Sequence, residues 1–137
     1  MKVHTTNYYD TFIEVADDSP ATSGEIPPLK GENKTAANIQ FEMISKHPYK
    51  YTSDDVIFEV YAVKNDLTKD ERKPAREAFF SKGQACLRAS PLAKRYGWGI
   101  HSNAEGRVAL FGCETEEYGQ FAKDKEMKVL KAMRSSK

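Results

Sequence analysis

Short apolar runs alternate along the chain with polar, turn-forming stretches, and the period of each run predicts an element. YYDTFIEVA places β-rich residues ahead of DDSPATSG and predicts a strand over 11–16. Residues 17–33 hold Ser19, Pro20, Ser23, Gly24, Pro27, Pro28 and Gly31, which predicts a long loop of the kind that is usually functional or mobile in a small domain. KTAANIQFEMISKHP sets Ala36, Ala37, Ile39, Phe41, Met43 and Ile44 on a broad helical face, with Thr35 as cap and Pro48 just beyond the end. Ile39, Phe41 and Met43 also alternate as in a strand, but the alanines favour helix. DDVIFEVYAV is rich in β-branched and aromatic residues and runs into the turn signal KNDL, so it predicts a buried strand, with a helix capped by Ser53 as the alternative.

KDERKPAREAFFSKG predicts a helix with Pro74 in a first helical position and Gly83 at its end, leaving Ala78, Phe79 and Phe80 for burial. ACLRASPLAKRYG predicts a short strand, then a helical turn or two with Ser90 as cap, Pro91 in the first turn and Gly97 as terminator. WGIHSNAEGRVALFG predicts two strands around the turn residues SNAEG. TEEYGQFAKDKEMKVLKAM, with Thr115 as cap and acids in the first turn, predicts one amphipathic helix over 116–133 that docks Tyr118, Phe121, Val129 and Met133 on the sheet. The predicted fold class is therefore α+β: a single domain over residues 1–137, its sheet mainly antiparallel, with helices packed on one face and an amphipathic helix at the C-terminal end.

Composition changes this picture mainly by exclusion. Among 137 residues, 21 Lys and Arg against 20 Asp and Glu give a formal charge of +1, so no overall field draws the chain to nucleic acid or to an anionic membrane. Any basic site has to be local. KRYGW and KHPYKY mix aromatic and basic residues in a way that suits single-stranded nucleic acid, but the neutral balance argues against that partner. No run approaches the ~18–20 apolar residues of a membrane helix, and MKVHTTNYYD lacks an apolar signal core, so no membrane association and a cytoplasmic location are expected. Cys86 and Cys113 are too few and too far apart for a zinc ribbon or a disulfide scaffold. His4, His47 and His101 are scattered, with no HxH, HxxxH or CxxC spacing, so neither a metal nor another cofactor is expected. The GxGxxG, GxxxxGK[ST] and GxSxG signatures are absent from the sequence.

The candidate chemistry gathers at KRYGWGIHSN, residues 94–103. Alternation in a strand turns Trp98 and Ile100 to one face and Gly99 and His101 to the other. Trp98 reads as a core residue at the root of a hairpin, with an indole N–H that needs a partner. Ser90 and Pro91 open a helical turn whose free N–H groups suit an anion, and Arg88, Lys94 and Arg95 add positive charge; with Trp98 and Asn103 they form the candidate ligand-binding set. Lys94 and Arg95 serve equally to offset the C-terminal dipole of that turn. His101 is the candidate general acid or base, because histidine titrates near neutral pH, although a lone strand histidine is more often structural. Three functions compete: a binding module for a small anionic ligand in a cleft between KRYGWGIH and the Pro-rich loop, an interaction or self-association module using Tyr8, Tyr49 and Tyr51, and an enzyme using His101.

NYYDTFIEVADDSPATSGEIPP, YTSDDVIFEV and CLRASPLAKRYGWGIHSNAEG together resemble a family of small bacterial proteins known only as a domain of unknown function. The resemblance spans nearly the whole chain. It implies a single-domain bacterial protein and carries no activity, cofactor or catalytic residue with it.

Overall fold

A computed structural model describes residues 4–29, 31 and 34–134. Four strands, β1 (Thr11–Glu14), β2 (Trp98–Ser102), β3 (Val108–Gly112) and β4 (Lys128–Lys131), form a mixed sheet in the order β3-β2-β1-β4. β1 and β2 pair antiparallel, as do β2 and β3, while β4 runs parallel to β1 with Phe12 opposite Val129. Five helices accompany the sheet: α1 (Ala36–Lys46), α2 (Ser53–Lys64), α3 (Lys69–Phe79), α4 (Pro91–Lys94) and α5 (Glu116–Lys123). The expected α+β class is what forms. Of the predicted 17–33 loop, Lys30, Glu32 and Asn33 lie outside the described residues.

The pleat sorts the side chains. Ile13, Ile100 and Val108 point to one face, where they meet Ala37 and Ile44 of α1, Val56 of α2, Leu92 and Ala93 of α4, and Leu87. Each fully buried large side chain of this core stabilises the fold by about 1.5–3 kcal/mol. Phe12, Gly99, His101 and Phe111 point to the opposite face, and α5 covers them there: Tyr118 meets Phe12 edge-on at 5.1 Å, and Phe121 stacks on Phe12 at 5.2 Å. α5 is thus the exception to a one-sided arrangement of helices. The chain between α1 and α2 runs beside β3, with the Tyr49 N–H donating to Val108 and the Val108 N–H to Tyr51, which covers that sheet edge.

Several elements differ from the sequence expectation, each for a local reason. DDVIFEVYAV is helix rather than strand, because Thr52 and Asp55 form a capping box that starts α2, and Val56 is then buried in the main core while Phe58 and Ala62 are buried with Phe80 on another side. α3 begins at Lys69, with a second capping box from Thr68 and Glu71, so Pro74 sits inside the helix; it is tolerated where no residue of α3 is buried. Leu87–Ala89 is a 3-10 turn where a short strand was expected, and it sinks Leu87 into the core. The C-terminal segment is not one helix. α5 stops at Asp124, whose carboxylate accepts from the Glu126 N–H in a tight turn, and the Lys-Val-Leu-Lys run that follows becomes β4. Tyr118 and Phe121 still dock on the sheet, but Val129 does so from a strand and Met133 is exposed.

Candidate functional site

The loop after β1 folds back over the KRYGWG stretch and is pinned there at several points. Glu25 donates its N–H to the Tyr96 carbonyl at 2.8 Å, and the Trp98 indole N–H donates to the Glu25 carbonyl at 2.7 Å. The Gly24 N–H donates to the Glu114 carboxylate at 2.9 Å, which holds that carboxyl below its ordinary range. Gly24 lies flat under the indole: a Cβ there would stand 2.8 Å from the ring. Gly97 adopts a φ of +78° and would clash with the Ser23 carbonyl if it carried a side chain. The glycines around Trp98 therefore make room for backbone and ring packing within the chain.

Trp98 is half-buried. Its ring packs on Gly24 and on Phe41 of α1 at a centroid distance of 5.5 Å, so it roofs the hairpin root under the loop instead of filling the deepest core. The next anchor is Asn38, which is 6 % exposed. Its side-chain carbonyl accepts from the Thr35 N–H at 2.9 Å in a capping box, and its amide nitrogen donates to the Pro27 carbonyl at 2.9 Å. One residue thus joins the start of α1 to the Pro-rich loop.

Between these anchors lies a cleft of about 250 Å³. The first turn of α1, at Thr35, Ala36 and Ala37, forms one wall; Pro91, Lys94, Arg95 and Tyr96 form the other, and Pro28 closes one side. α1 has no acidic residue in its first turn, and its first N–H groups have no intrahelical acceptor. Lys94 is half-buried and Arg95 exposed, and neither forms an ion pair among the described residues. The helix end and the two cations produce a locally positive cleft in a chain of almost no net charge.

The other candidate residues are placed elsewhere. Ser90 is buried and caps α4 through the Leu92 N–H, while its hydroxyl donates to Gln40. Arg88 donates through Nε to the Lys131 carbonyl and so straps β4. Asn103 stays in its own hairpin turn, where its carbonyl accepts from the Glu105 and Arg107 N–H groups. His101 lies on the α5 face, stacked on Phe121 at 4.3 Å, with Nδ1 bonded to the Tyr49 hydroxyl at 2.8 Å. Burial moves its pKa below the ordinary histidine value, against a smaller opposing pull from Asp10 and Asp124, and burial also raises the Tyr49 hydroxyl. Cys86 and Cys113 are free thiols, and neither is bonded to His101; Cys86 meets the Tyr8 hydroxyl at 3.4 Å. Of the tyrosines considered for partner binding, Tyr8 and Tyr51 pack against the core and Tyr49 is engaged with His101.

Sequence reasoning covered Pro28 and Tyr96 through the Pro-rich loop and KRYGWGIH, read Thr35 only as a helix cap, and missed Asn38 and Gln40 as parts of this region. The Thr-x-x-Asn spacing at 35–38 was the available signal, since a polar residue three places after a cap answers it reciprocally.

No helix among the described residues is long and apolar enough to cross a membrane. The chain belongs to a family of unknown function (DUF6157), which matches residues 3–137. No curated protein and no solved structure matches it.

Proposed function

We propose, since membership of that family assigns no activity, that the chain is a binding protein for a small anionic ligand held in the cleft between the first turn of α1 and residues 91–96. The observation that carries this reading is that Lys94 and Arg95 face the α1 N-terminus across a cavity without an acid on its walls and have no ion pairs of their own among the described residues. A helix N-terminus acts as roughly half a positive charge, and oriented N–H groups add directional donors. The cavity is smaller than the roughly 300 Å³ at which drug-sized pockets begin, which suits a head group or a small acid. In this reading Trp98, Ser90 and Asn38 position the walls, and Arg88, Asn103 and His101 take no part. Two free thiols support a reducing, cytoplasmic setting.

The test is an amide NMR titration with acetate and with inorganic phosphate. Shifts should concentrate at Ala36, Ala37 and residues 94–96, and Lys94→Ala combined with Arg95→Ala should weaken binding by about 10-fold or more, because hydrogen bonds to charged groups are the stronger kind. Shifts scattered over the surface, or an unchanged affinity in the double variant, would refute the proposal. One observation favours a protein partner at the same place: Ile26 and Leu29, on either side of the two prolines, are 75 % and 61 % exposed. Concentration-dependent shifts at these two residues without any anion would favour that second reading.

A further inference from the structure

Gln40 stands one turn after Ala36 on α1 and is only 7 % exposed. Its side-chain carbonyl accepts from the Ser90 hydroxyl, which accounts for one end of the amide. The other end, Nε2, carries two N–H donors and has no partner among the described residues. Gln40 lines a second cavity of about 190 Å³, walled also by Ile57, Val60, Ala85 and Cys86. Ala36, Ala89 and Pro91 line both cavities, so the two adjoin across these residues.

The second cavity differs chemically from the first. No charged side chain lines it, most of its wall is aliphatic, and its strongest donor is the Gln40 amide, with the Cys86 thiol beside it. That amide nitrogen is open to solvent, since no side-chain nitrogen or oxygen among the described residues is both buried and without a partner, and the complement to such a donor in an aliphatic wall is a neutral acceptor on a small apolar body. A carbonyl oxygen meets that description, whereas a bare anion belongs with Lys94 and Arg95. We infer that the two cavities together take an acylated anion, with its charged head between Lys94, Arg95 and the α1 N-terminus and its acyl carbonyl on Gln40 Nε2. This inference rests on the anion-binding reading above and adds the class of ligand.

Cys86 supplies a reporter that needs no mutation. Alkylation of the unaltered protein by iodoacetamide, followed by peptide mapping, should be slowed at Cys86 by N-acetylglycine and not by acetate, with Cys113 as the internal control. N-acetylglycine should bind about 3- to 10-fold more tightly than acetate, the range of one added hydrogen bond, and Gln40→Met should abolish that preference while leaving acetate affinity unchanged. The phosphate monoester of N-acetylethanolamine, compared with inorganic phosphate, tests the same preference on the other class of anion; a preference in either pair supports the inference. Acyl compounds that bind no better than their parent anions, or that leave Cys86 unprotected, overturn it and leave anion binding intact. Protection by neutral N-acetylglycinamide without binding of any anion would instead remove the anion reading and keep the carbonyl cavity. Should Gln40→Met fail to fold, Cys86 protection in the parent protein decides the matter.

Discussion

Asn38→Ala removes the bonds that tie the Pro-rich loop to α1, and the cost can be worked from the bonds themselves. The Pro27 carbonyl, on a buried residue, loses its 2.9 Å donor, and an unsatisfied buried acceptor costs about 1–3 kcal/mol. The Thr35 N–H loses the reciprocal half of the capping box, worth about 0.5–1.5 kcal/mol as a net hydrogen bond. The expected destabilisation is about 1.5–4.5 kcal/mol. Asn38→Asp separates the two contributions: it keeps an acceptor for Thr35 at a helix end that favours negative charge, but places a carboxylate against the Pro27 carbonyl. It should fall between the parent and Asn38→Ala. The chain has one tryptophan, and its indole bonds to Glu25 in the same loop, so fluorescence reports the loop while far-UV circular dichroism reports the helices. In denaturant the two signals should coincide for the parent, whereas the fluorescence transition should come first in Asn38→Ala. Stability within about 0.5 kcal/mol of the parent, the range of an ordinary surface substitution, would refute the account.

Gly99→Ala would set a methyl group 2.5 Å from the Phe12 ring and 2.7 Å from Tyr118, so overpacking should cost about 1–3 kcal/mol and speed hydrogen exchange in α5; unchanged exchange there would count against the packing described. Trp98→Ala should cost about 2–4 kcal/mol, less than for a fully buried tryptophan because the ring is half-exposed, and a loss below about 1 kcal/mol would show the Glu25 and Phe41 contacts to be idle. Because burial lowers the folded-state pKa of His101, its stabilising contribution is full above 6.5, shrinks as pH falls below that value and is gone below the folded pKa. Urea melts from pH 7 to pH 5 should therefore show a shallower loss of stability in His101→Phe than in the parent; parallel slopes would refute the assignment.

Most helices were legible where a cap and an apolar face agreed, as at Thr35 with Ala37, Ile39 and Ile44. DDVIFEVYAV misled because β-branched and aromatic residues state a preference that a capping box and burial on two sides of the helix override. The C-terminal segment misled for the opposite reason: KEMKVLKAM has the composition of a helix, and only the free edge of β1, supplied by residues distant in sequence, makes Lys128–Lys131 a strand. At the cleft, Lys94 and Arg95 stood out as a basic pair beside glycines. Asn38 and Gln40 did not, because polar residues on a helix read as solvated until the Pro-rich loop and Ser90 are known to lie over them.

The position of β1 in the sheet also has a consequence in time. Its two neighbours are β2 and β4, so the strand laid down near the start of the chain pairs with residues 100–102 on one side and 128–131 on the other. At roughly 5–20 residues per second, a ribosome needs on the order of 5–20 s to deliver both partners after Phe12 and Ile13 have been made. Until β2 has been made, two side chains that end almost fully buried have no sheet to join. One edge of this strand therefore stays open to holdase chaperones and to pairing with other copies until β2 emerges, and the other until β4 does.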